Sequence, residues 1–340
     1  MAQKRKLAFW LLPLLMGAVV IIVTWFSTSD LPSVVVKGKK FSKFPGLFEP
    51  SGVAQLQDGR ILVIEDEPSQ PFSLLTYQQS SNTLTLSVLQ SASLIDKFSN
   101  PIDDLEGIAL GPNEQIYAIT SHSRKMNGKR SRKREQLIRF EVAGNKQFNV
   151  QLRTDLRKKL TAQFPVLATA AKKGNSAYGL NIEGLSFDKN NDKLLIAFRS
   201  PLVDGKAILV EMLNPETALS TNKKIRFADE LVLLDLDRGG IRDIVYDPNV
   251  EGYLLISQRE GTKKEKPFKL WFWSGNSQLK PQRIHVRGIK NLRRVEGIAS
   301  VSLNGVEKLL LLSDDGLQIK GQPAKFALVD YDQLDIDNNP

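Results

Sequence analysis

The chain has no cysteine and only two histidines among its 340 residues. No disulfide, thiolate metal centre or cysteine nucleophile can form, and a lipoprotein anchor through an N-terminal cysteine is excluded. His122 and His285 lie far apart with no cysteine to join them, which argues against a zinc site. His285 falls in the alternation Arg283-Ile284-His285-Val286-Arg287 and reads as an ordinary strand residue. No Walker loop, nucleophile elbow or HExxH helix is present, and Gly239-Gly240 reads as a turn. Beyond the N-terminal stretch nothing is biased enough for disorder: 41% of residues are hydrophobic and 25% charged, ordinary globular values.

A five-residue phrase recurs instead. It reads Leu105-Glu106-Gly107-Ile108-Ala109, Ile182-Glu183-Gly184-Leu185-Ser186 and Val295-Glu296-Gly297-Ile298-Ala299, with weaker copies at Pro50-Ser51-Gly52-Val53-Ala54 and Ile241-Arg242-Asp243-Ile244-Val245. Each copy precedes a polar turn and a short apolar run, such as Ile61-Leu62-Val63-Ile64 or Leu309-Leu310-Leu311-Leu312. Steps between copies are 55, 77, 59 and 54 residues. Long units of this kind, each holding several strands, predict an all-β chain folded as a β-propeller. The 77-residue step holds a basic run and a helix-like stretch near Asp155 to Phe164. It is either one blade with a long excursion or a blade plus a cryptic one, so the blades number five or six. Further strands are expected at Leu74–Thr76 and Leu84–Val88 in the first unit, and at Leu270–Trp273 and Arg283–Val286 in the fourth. Phe326–Val329 is expected to close the ring against a strand near Val34–Val36.

In a propeller the innermost strands run the same way along a central channel. Ser51, Glu106, Glu183, Arg242 and Glu296 are therefore expected as a ring at one mouth. The second strands return to that face, ending in Glu65-Asp66-Glu67, Ser121-His122-Ser123-Arg124, Arg199-Ser200-Pro201, Gln258-Arg259 and Asp314-Asp315.

Asp104 to Ala109, Ser121-His122-Ser123-Arg124, Asn181 to Leu185 and Phe198-Arg199-Ser200-Pro201 together resemble a bacterial propeller family described as a domain of unknown function. That family is similar to the esterase-like phytase propellers and to the SdiA-regulated propellers. The resemblance spans roughly Phe48 to Gly316. It implies the fold and an envelope or secreted location, and transfers no catalytic residue set. Arg242 in the fourth copy breaks a uniform acidic ring.

Three converging carboxylates repel unless a cation intervenes. Glu106, Glu183 and Glu296 are candidate ligands for Ca²⁺, which takes several oxygen donors. Arg242 is the competing cation, and capping of backbone N–H groups by each Glu is the plainer alternative. His122 is the candidate general base. Arg124, Arg199, Arg242 and Arg259 are candidates for gripping a small anionic ligand, Arg124 and Arg199 in bidentate fashion. The alternative for His122 is a hydrogen-bonded structural histidine beside rim ion pairs. The run Arg124 to Arg134 is either a solvated hairpin or a surface for anionic lipid, glycan or nucleic acid, and it lacks the aromatics that base stacking uses. Two functions follow: a non-enzymatic monomer binding a small anionic or metal-bridged ligand at the mouth, or a Ca²⁺-dependent esterase or phosphoesterase.

The formal net charge is +10, and residues 7–26 hold none of it. Leu7 to Phe26, preceded by Lys4-Arg5-Lys6, is long enough to span a bilayer. The basic flank predicts a cytoplasmic N-terminus. The expected order is a flank over 1–6, a membrane helix over 7–26, a linker over 27–40 and a propeller over 41–335 on the extracytoplasmic side. A cleaved signal peptide ending at Ser27-Thr28-Ser29 is the alternative, giving a secreted protein. An intact N-terminus in the membrane fraction is expected; a mature chain starting near Asp30 would refute the anchor.

Overall fold

In a computed structural model the chain is described over residues 32–337, apart from 37–39, 67, 88–90, 92–93, 95–100, 145, 175–177, 189, 191, 260–267 and 290–293. Leu7–Phe26 lies outside the described residues. Among the described residues no helix is long and apolar enough to cross a membrane.

Each repeat copy forms the inner strand of a separate antiparallel sheet, and the described residues form five such sheets. The inner strands are Pro50–Gln55, Leu105–Leu110, Asn181–Asp188, Gly239–Asp247 and Val295–Leu303. Each touches the inner strand before and after it, and the last touches the first, which closes a ring. The apolar runs are the second strands, beginning with Ile61–Glu65 and ending with Val306–Ser313. Alternating Val, Ile and Leu suit a pleated sheet covered on both faces by its neighbours. Five buried clusters, such as Val53, Val63, Leu310 and Leu312, result.

The expected outer strands are present at Phe72–Gln78, Thr83–Leu86, Lys269–Trp273 and Gln282–Val286. The 77-residue step is one blade with an excursion. Blade 2 ends at Arg153, and the helices Leu156–Gln163 and Pro165–Ala170 lead to blade 3.

Ring closure differs from expectation. Lys325–Val329 pairs with Ser42–Lys43, which becomes the outer strand of blade 5. Ser33–Val35, inside the stretch read as a linker, pairs with Thr83–Thr85 on blade 1. Leu334–Ile336 covers the outer edge of blade 4. Ser33–Val35 and Leu334–Ile336 thus cap edges that would otherwise invite pairing with another chain.

Gly239-Gly240 is not a turn, since it opens the inner strand of blade 4. A Cβ on Gly240 would fall 1.9 Å from the carbonyl oxygen of Arg199 in blade 3. Blades 3 and 4 meet backbone to backbone there, as only glycine allows. Gly240→Ala is expected to cost about 3 kcal/mol in urea unfolding. Gly174→Ala, with open space around the new methyl, is the neutral control; equal midpoints would refute this account of the contact.

Candidate functional site

The five opening residues share a backbone irregularity. Pairing in each inner hairpin skips one residue: Ser51 between Pro50 and Gly52, Glu106 between Leu105 and Gly107, Glu183 between Ile182 and Gly184, Arg242 between Ile241 and Asp243, and Glu296 between Val295 and Gly297. A bulge leaves its residue unpaired and re-aims the side chain. The following glycine then receives the next blade. A Cβ on Gly107 would lie 3.0 Å from Leu185 Cβ, and one on Gly184 3.1 Å from Ile244 Cγ2. The fourth copy carries Asp243 in place of glycine. Its carboxylate accepts the N–H of Ile298 in blade 5 at 2.8 Å and that of Ile244 at 2.8 Å. Burial pushes this carboxyl well up, against those two hydrogen bonds.

Arg242 is the cation of the ring. Its Nη1 lies 2.7 Å from Glu183 Oε2, and its Nη2 pairs with Glu296 Oε1. Arg199 Nη1 donates to Glu183 Oε1 at 2.8 Å, and Asn181 Nδ2 donates to the same oxygen at 2.6 Å. Burial and the neighbouring Arg199 pull the Arg242 guanidinium down, opposed by Glu183, Glu106 and Asp314. Glu183 and Glu296 are therefore neutralised by arginine in this geometry.

Glu106 lies in different company. Its carboxylate, Asp66 and Asp104 each present an oxygen, and the three oxygens lie within 4.8 Å of one another. Asp104 has positive φ, which Asp tolerates. It accepts from Ser121 Oγ and from Ser123 Oγ at 3.1 Å, and pairs with Arg134 Nη1, 2.8 Å away. Burial pushes Asp66 up to about 8, and Asp104 adds to the shift. Glu106 is raised by burial, then by Glu183, Asp104 and Asp66. Asp314, ending the second strand of blade 5, is pushed up to about 7, mainly by burial. The repeat frame marks the stretches that contain Asp66, Asp104 and Asp314, but sequence alone singles out none of the three as a ligand.

The remaining candidates are elsewhere. His122 is fully buried, and its Nδ1 contacts Thr120 O at 2.7 Å. Burial pulls it down to about 4. Its own carbonyl accepts from Arg157 Nη1. Among the described residues its Nε2 has no hydrogen-bond partner, and the ring is not exposed on the rim. Arg124 donates to Ala171 O and to Gly128 O, each at 3.0 Å. Arg259 is exposed opposite Gly239. Of the four arginines proposed for the ligand, only Arg199 and Arg242 reach the glutamates. Glu65, at the same strand end as Asp66, caps the Phe48 N–H at 2.9 Å.

At the far ends of the inner strands the channel changes character. A cavity of about 320 Å³ there is lined by Val53, Ile108, Leu185, Phe187, Val245 and Tyr246, among others.

A family model described as "Phytase-like: Esterase-like activity of phytase" matches residues 43–321. No curated protein matches the sequence. Among solved structures, a putative oxidoreductase (glucose dehydrogenase) of Thermus thermophilus is similar at 12% identity and TM-score 0.42, over 86% of this chain and 100% of that one. The major allergen Mala s 1 of Malassezia sympodialis is similar at 16% identity and TM-score 0.43, over 90% and 84%. The PQQ-bound aldose sugar dehydrogenase of Streptomyces coelicolor is similar at 14% identity and TM-score 0.39, over 87% and 97%. Likeness at this level bears on neither substrate nor mechanism.

Removing the shared guanidinium would leave two buried carboxylates without their common partner. Arg242→Met is expected to destabilise by about 3–5 kcal/mol in urea unfolding. Adding Glu183→Gln and Glu296→Gln should recover part of that loss; no recovery would refute the charge account.

Proposed function

Because the chain belongs to the phytase-like family, described by the esterase-like activity of phytase, we propose that its channel mouth binds and hydrolyses a small anionic ester together with a divalent cation. The carrying observation is the Asp66, Asp104 and Glu106 trio, with its oxygens within 4.8 Å of one another. Ca²⁺ bonds to oxygen at 2.3–2.6 Å, so two of its ligand oxygens stand at most about 5 Å apart. The trio fits a hard, oxygen-seeking cation in spacing and donor type. Raised carboxyls also fit, since two like-charged groups held together without a cation favour protonation.

Asp66, Asp104 and Glu106 would hold the cation. When bound, it would supply positive charge to the anionic oxygens of the ester. The chain's own residues would do the rest. Ser121, Ser123 and Arg134 fix the Asp104 carboxylate by donating to it or pairing with it. Arg199, which pairs with Glu183 through Nη1, would supply a guanidinium of the type that recognises phosphate or carboxylate. Asp314, pushed up to about 7, is a carboxyl able to exchange a proton near neutral pH. Leu7–Phe26 would hold this site outside the cytoplasm, at a membrane.

A binding role without turnover is the second reading, favoured by the burial of His122. Hydrolysis of p-nitrophenyl acetate, p-nitrophenyl phosphate and bis(p-nitrophenyl) phosphate with and without Ca²⁺ separates the two. Turnover lost with chelator and in Glu106→Gln supports the hydrolase; phosphate binding with no turnover supports the second reading.

Stability reports the cation directly. The folded chain keeps a proton on Asp66 up to about pH 8, whereas an unfolded Asp loses it near 3.9. Stability from this group therefore falls as pH rises from about 4 to about 8. Ca²⁺ should stabilise most at the alkaline end, by about 2.7 kcal/mol at a hundred times Kd. Asp66→Asn should remove both effects. No response of the melting temperature to Ca²⁺ at pH 8 would sink the cation site.

A further inference from the structure

The chain's net positive charge is gathered in two connections of blade 2. Residues 121–136 and 154–178 together hold 12 Lys and Arg against 2 Asp and Glu, a balance of +10 where the whole chain carries +10. These are the hairpin between the second and third strands of blade 2, Ile116–Thr120 and Leu137–Ala143, and the helical connection to blade 3. Strand direction decides where both lie. Inner strands run away from the bulges and second strands return, so second-to-third connections fall on the face of the mouth. Fourth strands also return to it, which places the helical connection there too.

Buried groups join the hairpin to the helices. Arg157 donates to His122 O and to Ala171 O, the latter at 2.7 Å, and lies 3.6 Å from Glu135. Arg124 donates to Ala171 O as well. Some cations turn inward, with Lys125 and Arg134 on Asp103 and Arg130 on Glu135. Lys129, Arg132, Lys133, Lys158, Lys172 and Lys173 are exposed. Among the described residues, no salt bridge is formed by these six. At the hairpin tip, closed by Lys125 N–H to Lys129 O at 2.9 Å, Met126 is 84% exposed. Pro32 is on this face too, since its carbonyl accepts from Leu86 N–H at the mouth end of blade 1.

Unpaired cations around a protruding apolar side chain suit a surface that meets anionic lipid. The hairpin offers no aromatic ring on which a base could stack. We propose that this face docks on an anionic phospholipid bilayer. The hairpin and the helical connection contact the headgroups, Met126 reaches the acyl boundary, and the channel mouth is turned toward the lipid surface.

The absence of cysteine makes the test direct, since Met126→Cys creates one labelling site. The full chain, carrying an environment-sensitive fluorophore there, is reconstituted with its domain outward in two kinds of vesicle. One is phosphatidylcholine alone; the other has about one phosphatidylglycerol in three lipids. Blue-shifted emission and protection from iodide are expected only in the anionic vesicles, and high salt should reverse both. A label at Ser80→Cys, in the turn at the opposite end of blade 1, should stay accessible in both. Each cation near such a surface contributes roughly a fivefold factor in affinity. Combined Lys129→Glu, Arg132→Glu and Lys133→Glu should therefore abolish protection while leaving the melting temperature unchanged. Equal quenching at position 126 in both vesicles would overturn the proposal, as would protection that survives the triple reversal. Protection by soluble polyphosphate but not by anionic vesicles would also overturn it, and would identify a soluble polyanion as the partner.

Discussion

The architecture depends on how closely adjacent inner strands approach at one end of the channel. Five blades close into a ring only if each inner strand can set its backbone against the next. The bulge and the small residue after it make that possible. A methyl on Gly107 or Gly184 would sit 3.0 Å from Leu185 Cβ or 3.1 Å from Ile244 Cγ2, so the neighbouring blade would have to give way. Where glycine is replaced by Asp243, the carboxylate turns the same approach into two hydrogen bonds, one of them to the next blade. The bulge has a second effect, because it takes one side chain per blade out of the alternation and gathers five of them at the mouth.

Electrostatics follow from that gathering. One arginine among three glutamates cannot serve all three equally. Arg242 takes Glu183 and Glu296, and Arg199 reinforces the first. Glu106 is left to Asp66 and Asp104, where Arg134 is the guanidinium at hand. The mouth is thus divided into a neutralised half and an acidic half. The proposed cation site rests on the spacing of the Asp66, Asp104 and Glu106 oxygens in the second half.

Much of this was legible in the linear chain. The repeated Glu-Gly phrase with its turn and apolar run is local information, so the blades, the inner strands and the outer strands of blades 1 and 4 could be located. The family resemblance, drawn from the phrases at Asp104 and Asn181, agrees with the match over residues 43–321. Ring closure is not legible in the same way, because a strand of two residues, Ser42–Lys43, carries almost no periodic signal. Gly239-Gly240 misleads because a glycine pair looks the same whether it turns the chain or admits a neighbour's carbonyl.

Period and polarity along the polypeptide were enough to determine a propeller with a polar mouth, since both depend on nearest neighbours in sequence. Which carboxylate pairs with which arginine was decided only in three dimensions. Those distances are set between blades, by a guanidinium that can reach two partners and not a third. The same holds for His122, whose place at a strand end suggested chemistry. Its ring is buried and its carbonyl accepts from Arg157, and that guanidinium comes from a helix later in the chain.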